Sequence, residues 1–328
     1  MSDRQRHAAR AEALATKPGM VQILNSPHDQ ADVPIAFSIV MVTYARDEIA
    51  ADAIQHVATA ANGRRDIQFI LVDNNPDAID RTSLLAPFER WTYVKLGFNK
   101  GVSARNDGAL AARGTFIVFI DDDTFLQPAG AFDTYERDFA EHPGVAIVTA
   151  RNIDFNTGQT LRAAFPHTDK QRAQDQPFKT FRFQGSGFAM RRSAFQKVGP
   201  MSKEFFYGLE ELDYAYRVVN AGYEIFYEPA IQVVEHNHPG GRRPKKAVQE
   251  MNLTNKMIIS FKHMPVLYLP INIALFSAYM LVLNRGRLNV IRSFWNFLSW
   301  AVRNVGERRP LTLTARAYIR DCGGQVWK

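Results

Sequence analysis

Five short apolar runs constrain the fold of this chain more than any other feature of its sequence. They are FSIVMVTY (37–44), IQFILVD (67–73), WTYVKL (91–96), TFIVFID (115–121) and VAIVTA (145–150). None of them alternates strictly between apolar and polar residues, which is typical of strands buried on both faces of a sheet. Segments of helical character lie between several runs, at 48–61, 102–113 and 129–142. Strands that alternate with helices predict an α/β fold with a doubly wound, mostly parallel sheet.

The pattern loosens after about residue 151. The segment 180–192, TFRFQGSGFAMRR, predicts a strand that crosses under the sheet. The segment 208–222 predicts a helix that ends at a glycine. Two short strands are expected after it, EIFYEP (224–229) and IQVVEH (231–236).

Three consecutive aspartates, Asp121, Asp122 and Asp123, directly follow a buried run. In an open α/β sheet, ligands bind outside the carboxyl ends of the strands. At about 4 Å, each pair of carboxylates repels by roughly 1 kcal/mol in water and by several near a protein surface. A divalent cation removes that repulsion, and oxygen ligands suit Mg²⁺ or Mn²⁺ rather than zinc. The sequence therefore predicts a metal site, with an acidic turn before the next helix as the alternative.

Several motifs together resemble family 2 glycosyltransferases of GT-A fold, and especially the rhamnosyltransferase-like members that build bacterial surface polysaccharides. The resemblance covers about residues 37–240. It implies an inverting enzyme that uses a nucleotide-diphosphate sugar, an acceptor saccharide or lipid-linked saccharide, and a divalent metal. The motifs are FSIVMVTYAR, FILVDNN, GFNKGVSARNDGALAARG, FIDDDTFLQP and FFYGLEELDYAYR.

The resemblance implies donor-binding roles at the first strand ends. Thr43, Tyr44 and Asp73 are expected to hold the nucleotide base, although Asp73 could instead form an Asx-turn with the asparagines after it. Arg105 begins a helix among small residues, where an anion can approach closely, and is expected to contact the nucleotide or phosphate. A plain helix surface is the alternative for Arg105. Asn106 is expected to order the loop.

The aspartate motif matches the family's metal-binding motif. The resemblance implies that Asp121 faces the ribose or sugar, together with Asp122, and that Asp123 ligates the metal with Asp121 beside it. The metal is expected to bridge the diphosphate and neutralise the leaving group. Relatives often use a histidine after the last strand as a further ligand, which makes His236 the candidate and His238 its reserve. A structural histidine is the alternative.

A base for the acceptor hydroxyl is expected in the sequence LEELD. An inverting displacement needs a carboxylate opposite the leaving diphosphate. Glu210, Glu211 and Asp213 are the candidates, and the resemblance implies Glu211. This chain has glutamate where aspartate is more usual in the family, which would shift the acceptor by about one methylene. The alternative is an acidic helix N-terminus stabilised by the helix dipole.

The C-terminal part of the chain is both basic and apolar. Residues 241–328 contain 15 Lys and Arg against three Asp and Glu, although the whole chain has a net charge of +7. The segment 264–283 has no charged residue and is long enough to span a bilayer. Its prolines and polar residues oppose insertion, and the next segment mixes tryptophan with arginine, which is typical of a membrane interface. We expect helices that lie on an anionic membrane surface, rather than nucleic-acid binding. A spanning helix, a buried lid or a dimer interface is the alternative.

Four regions are expected: a flexible N-terminal extension (1–36), a nucleotide-sugar-binding half (37–150), an acceptor and base half (151–247) and a helical, membrane-associated tail (248–328). The first 15 residues lack the apolar core of a secretory signal. The single cysteine, Cys322, excludes an intramolecular disulfide and fits a reducing compartment. We expect a cytoplasmic protein, peripheral on the inner face of the cell membrane.

Two other functions compete with sugar transfer. A sugar-1-phosphate nucleotidyltransferase would need a glycine-rich loop after the first strand, and VTYARDE has no glycine. A dinucleotide-dependent dehydrogenase is disfavoured because no G-x-G-x-x-G follows a strand. A non-catalytic, membrane-bound sugar-binding or scaffold protein of the same fold is disfavoured by the intact acidic motifs. The donor, the acceptor and the oligomeric state stay open.

Overall fold

The computed structural model describes residues 21–27, 34–236 and 244–325. The strands within these ranges form one ten-stranded sheet. They are β1 (Gln22–Asn25), β2 (Phe37–Thr43), β3 (Ile67–Asp73), β4 (Trp91–Lys95), β5 (Phe116–Asp121), β6 (Thr124–Gln127), β7 (Val145–Asp154), β8 (Phe178–Thr180), β9 (Phe188–Arg191) and β10 (Glu224–Glu235). The α-helices in the same ranges are α1 (Asp47–Ala61), α2 (Arg105–Ala111), α3 (Ala131–Glu141), α4 (Arg192–Val198), α5 (Glu210–Asn220), α6 (Lys245–His263), α7 (Leu269–Leu283), α8 (Val290–Arg303) and α9 (Leu313–Asp321).

The sheet is parallel at its centre. β4, β3, β2 and β5 lie side by side in parallel, and β7 pairs in parallel with β10. β9 runs antiparallel between β5 and β7, while β1 and β6 form antiparallel edges. The predicted α/β sheet is confirmed, as a mixed sheet in which the five apolar runs form β2, β3, β4, β5 and β7.

Helices cover both faces of the sheet. On one face α1 and α3 contribute buried side chains such as Ile54 and Phe132. On the other face α2, α5 and α6 contribute side chains such as Ala109, Tyr214 and Leu253. Because each central strand is buried on both sides, its sequence is continuously apolar rather than alternating.

The carboxyl ends of β2, β3 and β5 meet at one edge of the sheet. In the parallel register Thr43 lies opposite Asp73, and Val42 lies opposite Asp121. The polar residues that follow each apolar run are therefore brought together at this edge.

The N-terminal region contains an element that the sequence did not indicate. Residues 22–25, inside the predicted flexible extension, pair antiparallel with β4 as strand β1. Their side chains alternate between half-buried and exposed. An edge strand of four residues that buries little surface has a weak apolar signal, so the sequence of this region predicts an extension instead.

Two predicted boundaries fall inside regular elements. The boundary at 150/151 lies within β7, because that strand continues to Asp154. The boundary at 247/248 lies within α6. The two predicted strands at 224–229 and 231–236 form one strand, β10, whose register shifts between Glu228 and Gln232. The proline between those residues cannot donate to the ladder, which accounts for the irregularity.

The C-terminal helices differ in their contacts: α9 is attached to the sheet, whereas α7 is largely exposed. α9 is attached to the sheet, because the Tyr318 hydroxyl donates to the Thr180 carbonyl at 2.8 Å and accepts from the Ile225 amide at 3.0 Å. The segment 266–283, which includes α7, is the one stretch in the described ranges that is helical, long and apolar enough to cross a membrane. Only 11% of it is buried. The alternative of a buried lid therefore does not fit this segment.

Candidate active site

A cleft of about 190 Å³ opens at the edge where β2 and β5 end. Tyr44, Arg105 and the three aspartates predicted from the sequence line it. Thr43 lies behind the cleft with its side chain fully buried, and its Oγ1 has no hydrogen-bond partner within the described ranges. The other predicted site residues in the described ranges are not part of its lining.

Arg46, which the sequence analysis did not single out, binds two of the aspartates. Its guanidinium lies 2.7 Å from the Asp122 carboxylate and also contacts the carboxylate of Asp123. The Tyr44 amide donates to Asp122 at 3.2 Å. Burial raises the pKa of Asp122 to about 7, although the Arg46 charge acts in the opposite direction. A cation thus already balances part of the charge of the motif.

Arg105 connects the aspartate motif to α5. Its guanidinium donates to Asp121 at 2.7 Å and to Glu210 at 3.0 Å, and the side chain is almost fully buried. Burial disfavours the charge of Arg105, but these two carboxylates outweigh it and raise its pKa. The alternative of a plain helix surface does not fit a guanidinium buried between two acids.

Glu211 faces the loop that precedes β9. A Cβ added at Gly185 would lie 2.4 Å from the Glu211 carboxylate and 3.0 Å from Arg105, so it would displace the ends of these two side chains. Glu211 keeps part of its side chain exposed. Burial of its carboxyl group, together with the charge of Glu210, raises the pKa of Glu211 to about 8, and Arg105 acts against both. Glu211 is therefore a carboxyl group of raised pKa that solvent can reach.

The three acids of α5 point to different places. Glu210 binds Arg105 through one oxygen, while its other oxygen is buried and has no hydrogen-bond partner in the described residues. Asp213 is fully buried and faces α6, where it binds Lys262 at 2.9 Å and His263 at 2.8 Å. Despite the cost of burial, His263 and Lys262 lower the pKa of Asp213. Glu210 and Glu211 therefore lie next to residues of the cleft. Asp213 instead attaches α5 to α6.

Asn106 lies behind the cleft. Its side-chain amide donates to the Met201 carbonyl at 2.9 Å and accepts from the Met201 amide at 2.8 Å. These two bonds attach α2 to the loop between α4 and α5. Asn106 thus binds the loop before the base helix, and its role in ordering the donor-side loop stays a prediction.

Asp73 lies in a buried polar network. One of its oxygens accepts from Tyr93 at 2.5 Å, Lys95 at 2.8 Å and Arg81 at 3.1 Å. Its other oxygen accepts from the backbone and side chain of Asn75, at 2.9 and 2.8 Å, which is the Asx-turn considered above. A nucleotide base could reach Asp73 only if one of these donors moved, and its predicted role stays a prediction.

Asn74 organises the opposite wall of the cleft. Its side chain donates to Asn99 at 3.0 Å and accepts from the Lys100 amide at 2.8 Å. Asn74 and Asn99 both line the cleft. The asparagines that follow β3 are the sequence signal for this contact, and in the sequence analysis they enter only as the alternative Asx-turn for Asp73.

His236 lies beside the aspartate motif. Its backbone amide donates to the Asp123 carbonyl at 2.9 Å, and its ring packs against Phe125 and Phe155 at centroid distances of 5.7 and 4.3 Å. The ring Nδ1 is buried and has no hydrogen-bond partner within the described part of the chain. His238 lies outside the described residues.

The residues present fit a divalent cation that binds together with a phosphate ligand. No three His, Cys, Asp or Glu side chains converge on a metal position in the ranges that the structure describes. Mg²⁺, however, is commonly held by one or two carboxylates plus substrate phosphates. Asp123 offers a carboxylate, and His236, whose backbone amide binds the Asp123 carbonyl, offers the buried Nδ1 of its ring. A cation at Asp123 would compete with the Arg46 ion pair.

The sequence matches one known protein family. Residues 38–199, almost half of the chain, match the family described as glycosyl transferase family 2. No curated protein sequence matches the chain.

Solved structures share the fold. The mannosyltransferase PcManGT from Pyrobaculum calidifontis, solved with GDP-Man and Mn²⁺, has a TM-score of 0.54 and 17% identity over 97% of this chain and 86% of its own. TarS of S. aureus has a TM-score of 0.55 and 14% identity over 88% of each chain. GalNAc-T7, solved with UDP, GalNAc and Mn²⁺, has a TM-score of 0.57 and 14% identity over 85% of this chain. The chain spans 40% of a longer TarS chain and 60% of GalNAc-T7. At these identities the likeness shows the fold alone.

Proposed function

The chain belongs to glycosyltransferase family 2, and from this premise we propose that it moves a sugar from a nucleotide-diphosphate sugar to an acceptor hydroxyl with inversion at the anomeric carbon. Complexes of its structural neighbours with GDP-Man, UDP-GlcNAc and UDP support this donor class. The acceptor is a saccharide or lipid-linked saccharide, in the synthesis of a surface polysaccharide or glycolipid.

The position of Arg105 is the observation that carries the proposal. One buried guanidinium binds Asp121 at the strand end and Glu210 at the start of α5. Arg105 therefore fixes the separation between the donor-side carboxylate of Asp121 and the base-side carboxylate of Glu210. Glu211 is the next residue in the sequence after Glu210. A solvated acidic helix end would need no such buried cation.

Glu211 acts as the general base in this proposal. Its carboxylate takes the proton of the acceptor hydroxyl, while the acceptor oxygen forms a bond to the anomeric carbon and the bond from that carbon to the diphosphate oxygen breaks. A base is most effective when its pKa lies near the working pH. The pKa of Glu211, raised to about 8, meets that condition.

Asp123 and His236 would hold the divalent cation, Mg²⁺ or Mn²⁺, with Asp121 beside them. When bound, such a cation neutralises charge on the departing diphosphate. The Mn²⁺ in the complexes of PcManGT and GalNAc-T7 supports this assignment by analogy of fold.

The C-terminal helices would hold the enzyme on the inner face of the cell membrane. Large apolar side chains of α7 and α8 are exposed, among them Val282 at 80%, Ile291 at 73% and Trp295 at 61%. Large apolar side chains exposed along two consecutive helices are typical of an interaction site. The basic composition of residues 241–328 favours anionic lipid over a neutral partner.

Release of nucleoside diphosphate from a panel of nucleotide sugars tests the proposal. With Mn²⁺ or Mg²⁺ present, at least one donor should be hydrolysed slowly without acceptor, and Asp123→Asn should abolish that release because a charged ligand is lost. Asp133→Asn is a matched control, since Asp133 pairs with Arg64 on the surface, away from the cleft. Binding of donors without release from any of them would favour the non-catalytic sugar-binding protein instead.

A further inference from the structure

Arg46 is a cation of the cleft that no step of the proposed transfer uses. Its guanidinium lies 2.7 Å from the Asp122 carboxylate and contacts that of Asp123, and its side chain is 17% exposed in the lining of the cleft. Asp123 is also the carboxylate that would hold the divalent cation. An arginine of the chain itself and a metal ion therefore have the same carboxylate as their partner.

Asp122 holds one part of the Arg46 guanidinium. It is 1% exposed, and its two oxygens bind different groups: one accepts from Arg46, and the other accepts from the Tyr44 amide at 3.2 Å. Removal of Arg46 from a carboxylate this deeply buried would leave a charge without its counter-ion, which costs free energy. We therefore expect the contact with Asp122 to persist, and the contact with Asp123 to be the one that changes.

The backbone of Arg46 is fixed on both sides. The Ala45 amide donates to the Asn75 side chain at 2.8 Å, and the Arg46 carbonyl accepts from the Ala50 amide at 2.9 Å, where α1 begins. A change of partner by Arg46 is therefore a movement of its side chain alone. The Arg46 Nε is buried and has no hydrogen-bond partner among the described residues, so this part of the guanidinium is not held by the protein.

A metal ion and Arg46 on the same carboxylate would repel each other, because like charges a few ångströms apart interact strongly near a protein surface. An anion shared by the two cations removes this repulsion. A diphosphate suits that place, since its oxygens accept charge-assisted hydrogen bonds from a planar guanidinium and also bind divalent cations. Arg46 lines the cleft together with Asp121 and Asp123, where the donor diphosphate is expected.

We propose that Arg46 makes binding of the divalent cation depend on the donor diphosphate. Arg46 competes with the cation for Asp123, and it turns from Asp123 to the diphosphate when cation and donor bind together. The inference rests on the proposed transfer function and assigns Arg46 a role in it. The metal alone is then bound weakly, and the complex of metal and nucleotide is the form that the cleft prefers.

Binding of Mn²⁺ alone to the full chain, followed by the electron paramagnetic resonance signal of free Mn²⁺, tests the competition. Arg46→Gln should bind Mn²⁺ about tenfold more tightly than the parent or better, because the competing charge is gone. Arg46→Lys keeps a positive charge beside Asp123 and should stay within about threefold of the parent. Lys197→Gln is the control for loss of one positive charge and should change nothing, since Lys197 is exposed and lies over the Tyr223 ring.

Calorimetric titration with UDP and with GDP, at saturating Mn²⁺, tests the contact with the diphosphate. Whichever nucleotide the parent binds, Arg46→Gln should bind it about tenfold more weakly or worse, because a charge-assisted partner of the phosphates is lost. The same substitution is therefore expected to change the two affinities in opposite directions. If Arg46→Gln does not fold, the double variant Arg46→Gln, Asp122→Asn replaces it, since it removes the buried charge together with its partner.

The two titrations separate the possible failures. Arg46→Gln that binds Mn²⁺ no more tightly than the parent would show that Arg46 does not compete for Asp123, and the proposal would be wrong. Tighter Mn²⁺ binding with unchanged nucleotide affinity would equally overturn the dependence on the diphosphate. If the parent binds neither nucleotide, the proposed donor class fails, whereas the titration with Mn²⁺ alone still decides whether Arg46 competes.

Discussion

The pKa of Glu211 sets the pH at which transfer should become efficient. Burial and the neighbouring Glu210 raise this pKa to about 8, and Arg105 acts against them. A base must be deprotonated to accept a proton, so kcat/KM should rise with pH through the pKa of Glu211. Glu211 should be mostly protonated well below that pKa and mostly ionised well above it, because the ratio changes tenfold with each pH unit.

Glu210→Gln is the most informative perturbation of this pKa. It removes a negative charge beside Glu211. Next to burial, the charge of Glu210 and a hydrogen bond between the two carboxyl groups raise the pKa of Glu211. The variant also leaves Arg105 with fewer carboxylates to balance, which lowers the pKa of Glu211 in the same direction. The midpoint of the profile should fall by about 1 pH unit or more, because like charges a few ångströms apart near a protein surface repel by several kcal/mol.

The assay is kcat/KM for nucleoside diphosphate release with acceptor, between about pH 5.5 and pH 9.5, since this parameter reports the pKa values of the free enzyme. Glu211→Gln provides the baseline and should lack the rise. A parent profile that is flat between about pH 6 and pH 9 would refute the reasoning. So would a midpoint that does not move in Glu210→Gln.

Three further substitutions test other parts of the structure. Gly185→Ala should slow transfer without unfolding the protein, because the added Cβ would lie 2.4 Å from the Glu211 carboxylate. Gly144→Ala is the control: its Cβ meets only ordinary contacts, so the rate of transfer should not change. Asp213→Ala breaks the buried network that joins α5 to α6 and should lower the free energy of unfolding in urea by about 3–5 kcal/mol; a loss below about 1 kcal/mol would contradict that role. The double variant Leu267→Glu, Val282→Glu should sediment less with anionic vesicles, since both side chains are at least 80% exposed on the apolar segment. Unchanged sedimentation would show that this segment does not contact the membrane.

The strand ends of the site could be predicted from the sequence. Runs that are buried on both faces are continuously apolar, so the first acids after them mark the ends of strands. The parallel register then places Asp121 near Thr43, as the structure shows through Val42. Arg46 was not predicted, because nothing near it in sequence indicates which carboxylate, about 76 residues away, its guanidinium meets.

The acids of α5 show where sequence reasoning stops. Glu210, Glu211 and Asp213 lie within one helical turn, and the helical period sends their side chains in different directions. The partners that distinguish them come from distant segments. Asp213 binds His263, 50 residues further along the chain, and Glu210 binds Arg105, 105 residues before it. A local motif therefore identified the group of acids but could not separate their roles.

Comparison of donor affinity with turnover in Glu211→Gln tests the central claim most directly. The claim is that Glu211 deprotonates the acceptor without contributing to donor binding. Donor affinity, measured by titration, should stay within a few-fold of the parent, while transfer falls by about 10² or more. Glu141→Gln, at an exposed position on α3, is the matched control and should change neither quantity. Unchanged transfer in Glu211→Gln, with Glu210→Gln inactive instead, would contradict the account and move the base by one residue.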